Sequence, residues 1–277
     1  MPTISTSSKI AGTRLYTPHV IFSGSTSTER EAKLAEVVAE TNAIFVPPYD
    51  HPDITLGQGT AAFEMEGQYE AAAKAEGRVP RLRAVLTPCG GGGLLSGTVT
   101  YFSDKPDTYV IGTEPSFQGG NDAQRGLMAN PPKRIEVVKT LTIADGLRTP
   151  LGKVPWGVLT NGSEVKPKFL EGMYSVTEEE IKGAMRLVLE RLKVVIEPSA
   201  AVPLAVVLYD RDFRKWVLEK QKEGGEDVWD IGVVFSGGNT TMEAIVAMFG
   251  QASEEKMERE MAKVGLDGKR VAENIAG

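Results

Sequence analysis

A chain of 277 residues is long enough for one large or two modest domains, and 41% hydrophobic with 25% charged residues is typical of globular proteins. A net charge of −6 without any block of Lys and Arg argues against nucleic acid as a partner. The apolar runs stop well short of the roughly 18 residues that cross a bilayer, and no leader opens the sequence, so neither a membrane nor secretion is expected. One cysteine, Cys89, excludes an internal disulfide and indicates a reducing, cytoplasmic setting.

Strand-like and helix-like patterns alternate along the chain. Strands are predicted at 19–22, 43–46, 82–86, 108–113 and 231–235. Helices are predicted at 27–41, 57–77, 94–99, 177–192, 198–209, 211–222, 241–249 and in the charged tail from 254, with a less regular stretch at 130–168. Such alternation favours a mostly parallel sheet covered on both faces, with ligands beyond the carboxyl ends of its strands.

Four consecutive glycines, Gly90 to Gly93, lie between a predicted strand and a predicted helix. The N–H groups of such a turn, together with the positive end of the helix, form a site for a phosphate or another anion. The spacing does not fit the dinucleotide fingerprint, which would need glycine at Leu95, and no Gly-Lys-Ser/Thr follows as in a phosphate loop. The sequence therefore predicts a ligand with a phosphate group.

Three other positions are candidates, each with a plain structural alternative. Ser236 follows a predicted strand, where its hydroxyl could bond a heterocyclic nitrogen, although a turn with a helix cap at Asn239 is the favoured interpretation of this segment taken alone. Glu197 stands directly before a helix, where it could simply compensate the helix dipole. Cys89 could be a nucleophile, but a small buried residue that ends a strand is the favoured interpretation.

The segment from Glu114 to Asp122 is rich in oxygen ligands and suits a hard cation, with a solvated acidic loop as the alternative. Two histidines, His19 and His51, give little support to a histidine metal site or a histidine-based triad.

Six motifs, taken in order, resemble those of the fold-type II pyridoxal-phosphate enzymes, specifically the serine racemase and serine/threonine dehydratase family, with its threo-3-hydroxyaspartate ammonia-lyase branch. The motifs are Gly57-Gln58-Gly59-Thr60, Gly90 to Gly93, Glu114-Pro115, Ala144-Asp145-Gly146, Glu197-Pro198-Ser199 and Ser236-Gly237-Gly238-Asn239. The resemblance implies an α/β, tryptophan-synthase-β-like fold with mostly parallel sheets, N-terminally incomplete. Residues 1–47 would then be the remnant of a small domain, and 48–277 the large cofactor-binding domain.

The resemblance also implies a site for pyridoxal 5'-phosphate. Its cofactor-binding residues would be Gly90, Gly91, Gly92, Gly93, Leu94, Gly146, Glu197 and Ser236. Within that set the glycines and Leu94 would hold the phosphate, Gly146 would lie beside the ring, and Ser236 would bond the pyridine nitrogen. Glu197, with Lys193, also matches positions near a regulatory nucleotide site in some members.

Further residues follow from the same resemblance. Arg30 and Thr149 match positions that approach a second substrate carboxylate, which fits a hydroxyaspartate-like amino acid. Glu114, the Gly120 carbonyl and Asp122 match the family's loop for Mg, Ca or Mn, with one extra residue in this loop. The implied partners are a small amino-acid substrate and a second copy of the chain in a homodimer.

The family's Schiff-base lysine motif, Ser-Phe-Lys-x-Arg-Gly, and its Ser-x-Gly-Asn-His-Gly loop have no match in these 277 residues. Lys9 aligns with an ordinary lysine of the small domain. No catalytic residue is therefore assigned, and the chain alone is expected to be inactive. Three interpretations stay open: a fragment of a dehydratase or racemase, a non-catalytic paralogue that binds a phosphorylated ligand, and, well behind, an NAD-binding oxidoreductase.

Overall fold

The computed structural model describes residues 1–25, 27–161 and 169–250, so the predicted helix in the tail lies outside the described residues. The described strands are β1 (Leu82–Pro88), β2 (Tyr109–Pro115), β3 (Gly172–Val176) and β4 (Asp230–Val233). The described helices are α1 (Ser7–Arg14), α2 (Ser27–Thr41), α3 (Pro52–Gln58), α4 (Thr60–Ala75), α5 (Gly93–Tyr101), α6 (Asp122–Met128), α7 (Lys153–Thr160), α8 (Glu178–Leu187), α9 (Pro198–Tyr209), α10 (Arg211–Gly224) and α11 (Met242–Phe249). None of these helices is long and apolar enough to cross a membrane.

The four strands form one parallel sheet in the order β3-β2-β1-β4. Successive residues of β1 point to opposite faces, and both faces are covered. Leu86 packs with the apolar α9 on one face, whereas Val85 packs with Leu95 of α5 on the other. All residues of β1 and β2 are buried except Arg83 and Tyr109, which are partly buried, and this burial on both sides confirms the predicted parallel α/β architecture.

The predicted strands at 19–22 and 43–46 are wrong. In the described ranges, the front of the chain pairs only at an isolated parallel bridge between Pro2 and Ser23. Residues 43–46 have no regular secondary structure, and Ile44 and Val46 are 92% and 70% exposed. These segments have strand-like composition, yet no described neighbouring strand offers them a ladder of hydrogen bonds. The proposed domain boundary between residues 47 and 48 stays a prediction.

Two other expectations need correction. The helix predicted over 57–77 is divided at Gly59 into α3 and α4, because the chain there lies against α5: a Cβ at Gly59 would be 2.9 Å from the carbonyl oxygen of Gly97. The stretch predicted to be irregular contains α7, and β3 follows it unpredicted. The boundaries of α9 match the prediction, and α10 extends two residues beyond it.

Candidate anion-binding site

The glycine segment joins the carboxyl end of β1 to the first turn of α5, as the sequence predicts. Gly92 has a φ of +90°, a left-handed conformation that glycine adopts without strain. Residues 90–93 are buried, yet among the described residues the N–H groups of Gly90 through Leu94 have no acceptor from the protein. Buried N–H groups are almost always paired, so these donors at the positive end of a helix fit an anionic group.

Three other parts of the chain enclose this turn so closely that side chains would not fit. A Cβ at Gly90 would lie 3.1 Å from the Gly146 carbonyl oxygen, and one at Gly92 would lie 2.3 Å from Leu151 Cδ1. At Gly91 it would meet the ring of Tyr49, with 2.3 Å to Cγ. The glycines therefore permit close packing around this turn, whereas their binding of an anion stays a prediction.

A cavity of about 900 Å³ opens above the glycine turn. Because β4 is the neighbour of β1, the turn that follows β4 brings Ser236 to the same cavity. The predicted residues that line it are Arg30, Gly90, Gly91, Gly92, Gly93, Leu94, Gly146, Thr149 and Ser236. The structure thus brings most of the predicted ligand-binding residues together, whereas their contacts with a ligand stay a prediction.

Glu197 is placed differently from the other predicted cofactor residues, because it is not among the residues that line the cavity. Its own N–H donates to the Gly237 carbonyl at 3.0 Å, and its carboxylate faces the same turn, since a Cβ at Gly237 would be 2.8 Å from Glu197 Oε1. Burial raises the pKa of this carboxyl, and nearby Lys9 opposes that shift. Glu197 therefore holds the turn that carries Ser236. Lys193 is exposed, and its ammonium donates to the Glu190 carbonyl.

The predicted cation ligands lie away from the cavity, next to the first turn of α6. The buried Glu114 carboxylate accepts from the N–H groups of Ala123 and Gln124 at 3.0 and 2.9 Å, and Asp122 accepts from Leu151 at 2.9 Å. Burial, and then the neighbouring Asp122, raise the pKa of Glu114 well above its ordinary value, and burial raises that of Asp122 to about 6. In the described part of the chain, no three His, Cys, Asp or Glu side chains converge as metal ligands. The cation stays a prediction.

The sequence interpretation overlooked residues 47–50, which form one side of the cavity. The Asp50 carboxylate accepts from the N–H groups of Lys153 and Val154, at 3.1 and 2.7 Å, and so caps α7. Tyr49 lines the cavity beside it. The signal was present: Pro47-Pro48-Tyr49-Asp50 is a rigid, polar turn directly before a helix.

The lysines near the cavity are paired with carboxylates, and the cysteine is buried in the core. Lys33 lines the cavity, but its ammonium lies 2.8 Å from Glu36 Oε1, whose hydrogen bond raises the lysine pKa. Lys9 lies 2.6 Å from the Asp145 carboxylate. Cys89 is fully buried in the core, and burial raises the pKa of its thiol well above the ordinary value, which supports the structural interpretation of this residue.

The described chain is an α/β protein with a parallel sheet, and its glycine turn has unpaired N–H groups beside a cavity at the carboxyl ends of the strands. This arrangement is a candidate site for a phosphorylated ligand. The family model described as "Pyridoxal-phosphate dependent enzyme" matches residues 1–222, and the chain belongs to this family. It has the tryptophan-synthase-β-like fold of the fold-type II members.

Two sequence relatives and one solved structure support this membership. The chain is 34% identical to a serine racemase of Dictyostelium discoideum over 217 residues, which are 78% of this chain and 58% of that protein. It is 32% identical to an L-threo-3-hydroxyaspartate ammonia-lyase of Saccharomyces cerevisiae, with 87% of this chain and 65% of the relative covered. The solved structure of a serine racemase from maize superimposes with a TM-score of 0.71 at 29% identity, covering 90% of this chain and 68% of the other. The chain thus spans less than two thirds of the length of the two relatives compared by sequence.

Proposed function

We propose that this chain binds pyridoxal 5'-phosphate and belongs to a protein that racemises or deaminates serine, threonine or 3-hydroxyaspartate. The observation that carries the proposal is the row of unpaired N–H groups from Gly90 to Leu94, of which the four glycines are buried. A phosphate oxygen is a strong acceptor, and the start of α5 adds the favourable dipole. The names of the relatives supply the reaction class.

The remaining residues of the cavity have roles that follow from their chemistry. Bound in this cavity, the cofactor supplies an electron-withdrawing ring that weakens the bonds of the substrate's α-carbon. The Ser236 hydroxyl is neutral, so it can bond the ring nitrogen without holding a proton on it by charge. A weaker electron sink suits β-elimination, in which the leaving group takes the electrons. Gly146, without a side chain, leaves room beside the ring.

The substrate end of the cavity is proposed to lie near Arg30 and Thr149, which both line it. A guanidinium and a hydroxyl can together hold a carboxylate, which favours 3-hydroxyaspartate over serine. We extend the proposal to Mg, Ca or Mn at Glu114, Gly120 and Asp122. The carboxyls of Glu114 and Asp122 are buried near each other, and Asp122 raises the pKa of Glu114. A cation bound between them would relieve their repulsion, which supports this part of the proposal. A homodimer and a cytoplasmic location belong to the same proposal.

We propose that these 277 residues bind the cofactor without turnover. The sequence has no Schiff-base lysine motif, and the lysine that lines the cavity, Lys33, is paired with Glu36. A lysine that exchanges with substrate must be able to become a neutral amine, which an ion pair opposes.

Equilibrium dialysis of the protein against pyridoxal 5'-phosphate, pyridoxal and NAD tests the binding. We expect saturable binding of pyridoxal 5'-phosphate and weaker binding of pyridoxal. Binding of NAD in place of pyridoxal 5'-phosphate would favour the oxidoreductase interpretation. Borohydride reduction followed by peptide mapping tests the second part: a stoichiometric label on one lysine, together with ammonia release from serine, would refute the absence of turnover.

A further inference from the structure

The ring of Tyr49 lies directly on the glycine turn. A Cβ at Gly91 would be 2.3, 2.4 and 2.5 Å from the Cγ, Cδ1 and Cδ2 atoms of this ring, and one at Gly93 would be 3.3 Å from the Cα and Cβ of Tyr49. These distances place the ring against the backbone of Gly91. The ring is half-buried and lines the same cavity as the unpaired N–H groups.

The neighbours of Tyr49 hold it there. Asp50 caps α7 through Lys153 and Val154, and a Cβ at Gly152 would be 2.8 Å from the Asp50 carboxyl carbon. Gly152 in turn donates its N–H to the Gly91 carbonyl at 3.1 Å. Residues 49–50 therefore contact both the glycine turn and the start of α7, and these two segments also contact each other.

We propose that Tyr49 is a positioning residue, whose ring forms one wall of the anion site and so favours ligands that carry a phosphate group. The inference rests on the proposed function. Hydrogen bonds from N–H groups to an anion are stronger where water is excluded, because the local dielectric constant is lower. A ring seated on Gly91 keeps water away from that side of the turn.

The ring, rather than the hydroxyl, carries this role. Burial raises the pKa of the Tyr49 phenol, as does nearby Asp50, so the side chain stays neutral and brings no negative charge near the phosphate. A phenylalanine provides the same wall, whereas a smaller side chain opens it to water.

Dialysis of three variants, Tyr49→Phe, Tyr49→Leu and Tyr49→Ala, against pyridoxal 5'-phosphate, pyridoxal and inorganic phosphate tests the inference. We expect Tyr49→Ala to weaken binding of pyridoxal 5'-phosphate and of inorganic phosphate about tenfold, with Tyr49→Leu between alanine and wild type and Tyr49→Phe near wild type. Binding of pyridoxal, which has no phosphate, should change less than about twofold in every variant. A melting curve of each variant shows whether it is folded.

A double-mutant cycle with Gly91→Ala provides an independent measurement. The new methyl group collides with the Tyr49 ring, so Gly91→Ala should weaken binding of pyridoxal 5'-phosphate more in the wild-type background than in the Tyr49→Ala background. Additive effects, or an equal loss of pyridoxal and pyridoxal 5'-phosphate in Tyr49→Ala, would overturn the inference. Failure of the wild-type protein to bind pyridoxal 5'-phosphate would instead overturn the proposed function.

Discussion

The Lys9 ammonium lies 2.6 Å from the carboxylate of Asp145, and this pair ties α1 to the turn that carries Gly146. The two side chains are 27% and 26% exposed, so the pair is partly shielded from solvent. It joins residues far apart in sequence, and it connects the front of the chain with one edge of the cavity.

Breaking this pair should loosen the front of the chain more than it lowers global stability. We expect Lys9→Met to reduce the free energy of unfolding by only about 0.5 kcal/mol, as for other partly exposed pairs. Hydrogen exchange of residues 7–14 should become clearly faster. Lys220→Met is the matched control, because Lys220 pairs with Glu223 at 2.8 Å within one helix. Unchanged exchange in Lys9→Met would show that the pair does not hold α1.

Alanine at Gly92 should be strongly destabilising. The left-handed backbone alone costs a residue with a Cβ about 1–2 kcal/mol. The new atom would also lie 2.3 Å from Leu151 Cδ1 and 2.8 Å from Pro155 Cβ. Gly157→Ala is the control, since no atom lies within 4 Å of its added Cβ inside α7, and it should stabilise by about 0.5–1 kcal/mol. Denaturant unfolding of both variants gives the comparison, and equal stabilities would contradict the conformation described for Gly92.

Cys89 should be inert in the native protein. Its thiol is fully buried, and its pKa is raised by burial and then by Glu114 and Asp122, so little thiolate exists to react. Alkylation by iodoacetamide should therefore require unfolding, and its rate should rise with denaturant across the unfolding transition. Because the sequence has one cysteine, mass spectrometry reports on this position alone. Rapid, complete alkylation of the native protein would contradict the burial of Cys89.

Tyr174 should make the protein less stable in alkali. Burial, followed by nearby Asp210, Glu171 and Asp212, raises the pKa of its phenol from 10.0 to about 12. The unfolded state thus loses this proton first, so the stability that the neutral phenol contributes is present below pH 10.0 and lost as the pH rises towards about 12.

Unfolding free energies measured between these two pH values should fall less steeply in Tyr174→Phe than in the wild type. Tyr16→Phe serves as the control, because the Tyr16 side chain is 91% exposed. Parallel slopes for Tyr174→Phe and the wild type would contradict the expected shift.

The parts of the fold that local pattern determines could be predicted from the sequence. β1 and α5 follow from an apolar run, a glycine turn and a second apolar run, and Thr177 and Glu180 have the spacing of the capping box that begins α8. Residues 19–22 and 43–46 have the composition of strands, but pairing depends on a neighbour, which composition does not reveal.

In the candidate site, too, local pattern predicts some features, whereas others depend on contacts between distant segments. That Gly90 and Ser236 share one cavity could be anticipated, because both follow parallel strands. Local pattern does not reveal that Glu197 faces the turn at Gly237 and Asn239, or that Glu114 caps α6. Both features depend on side-chain direction and on contacts between distant segments. Tyr49 was overlooked because the turn at 47–50 indicates a loop before a helix, but it does not reveal which cavity that loop lines.

The pairing of β1 with β4 gives the cavity a fixed length. Val85 is opposite Gly232, Leu86 is opposite Val233, and the Val234 N–H donates to the Leu86 carbonyl at 3.0 Å. The hydrogen bonds between β1 and β4 therefore set the separation between the glycine turn and Ser236, which lie at the ends of these two strands. Substitution of side chains elsewhere around the cavity should leave this backbone separation unchanged, because the pairing of β1 with β4 uses main-chain hydrogen bonds.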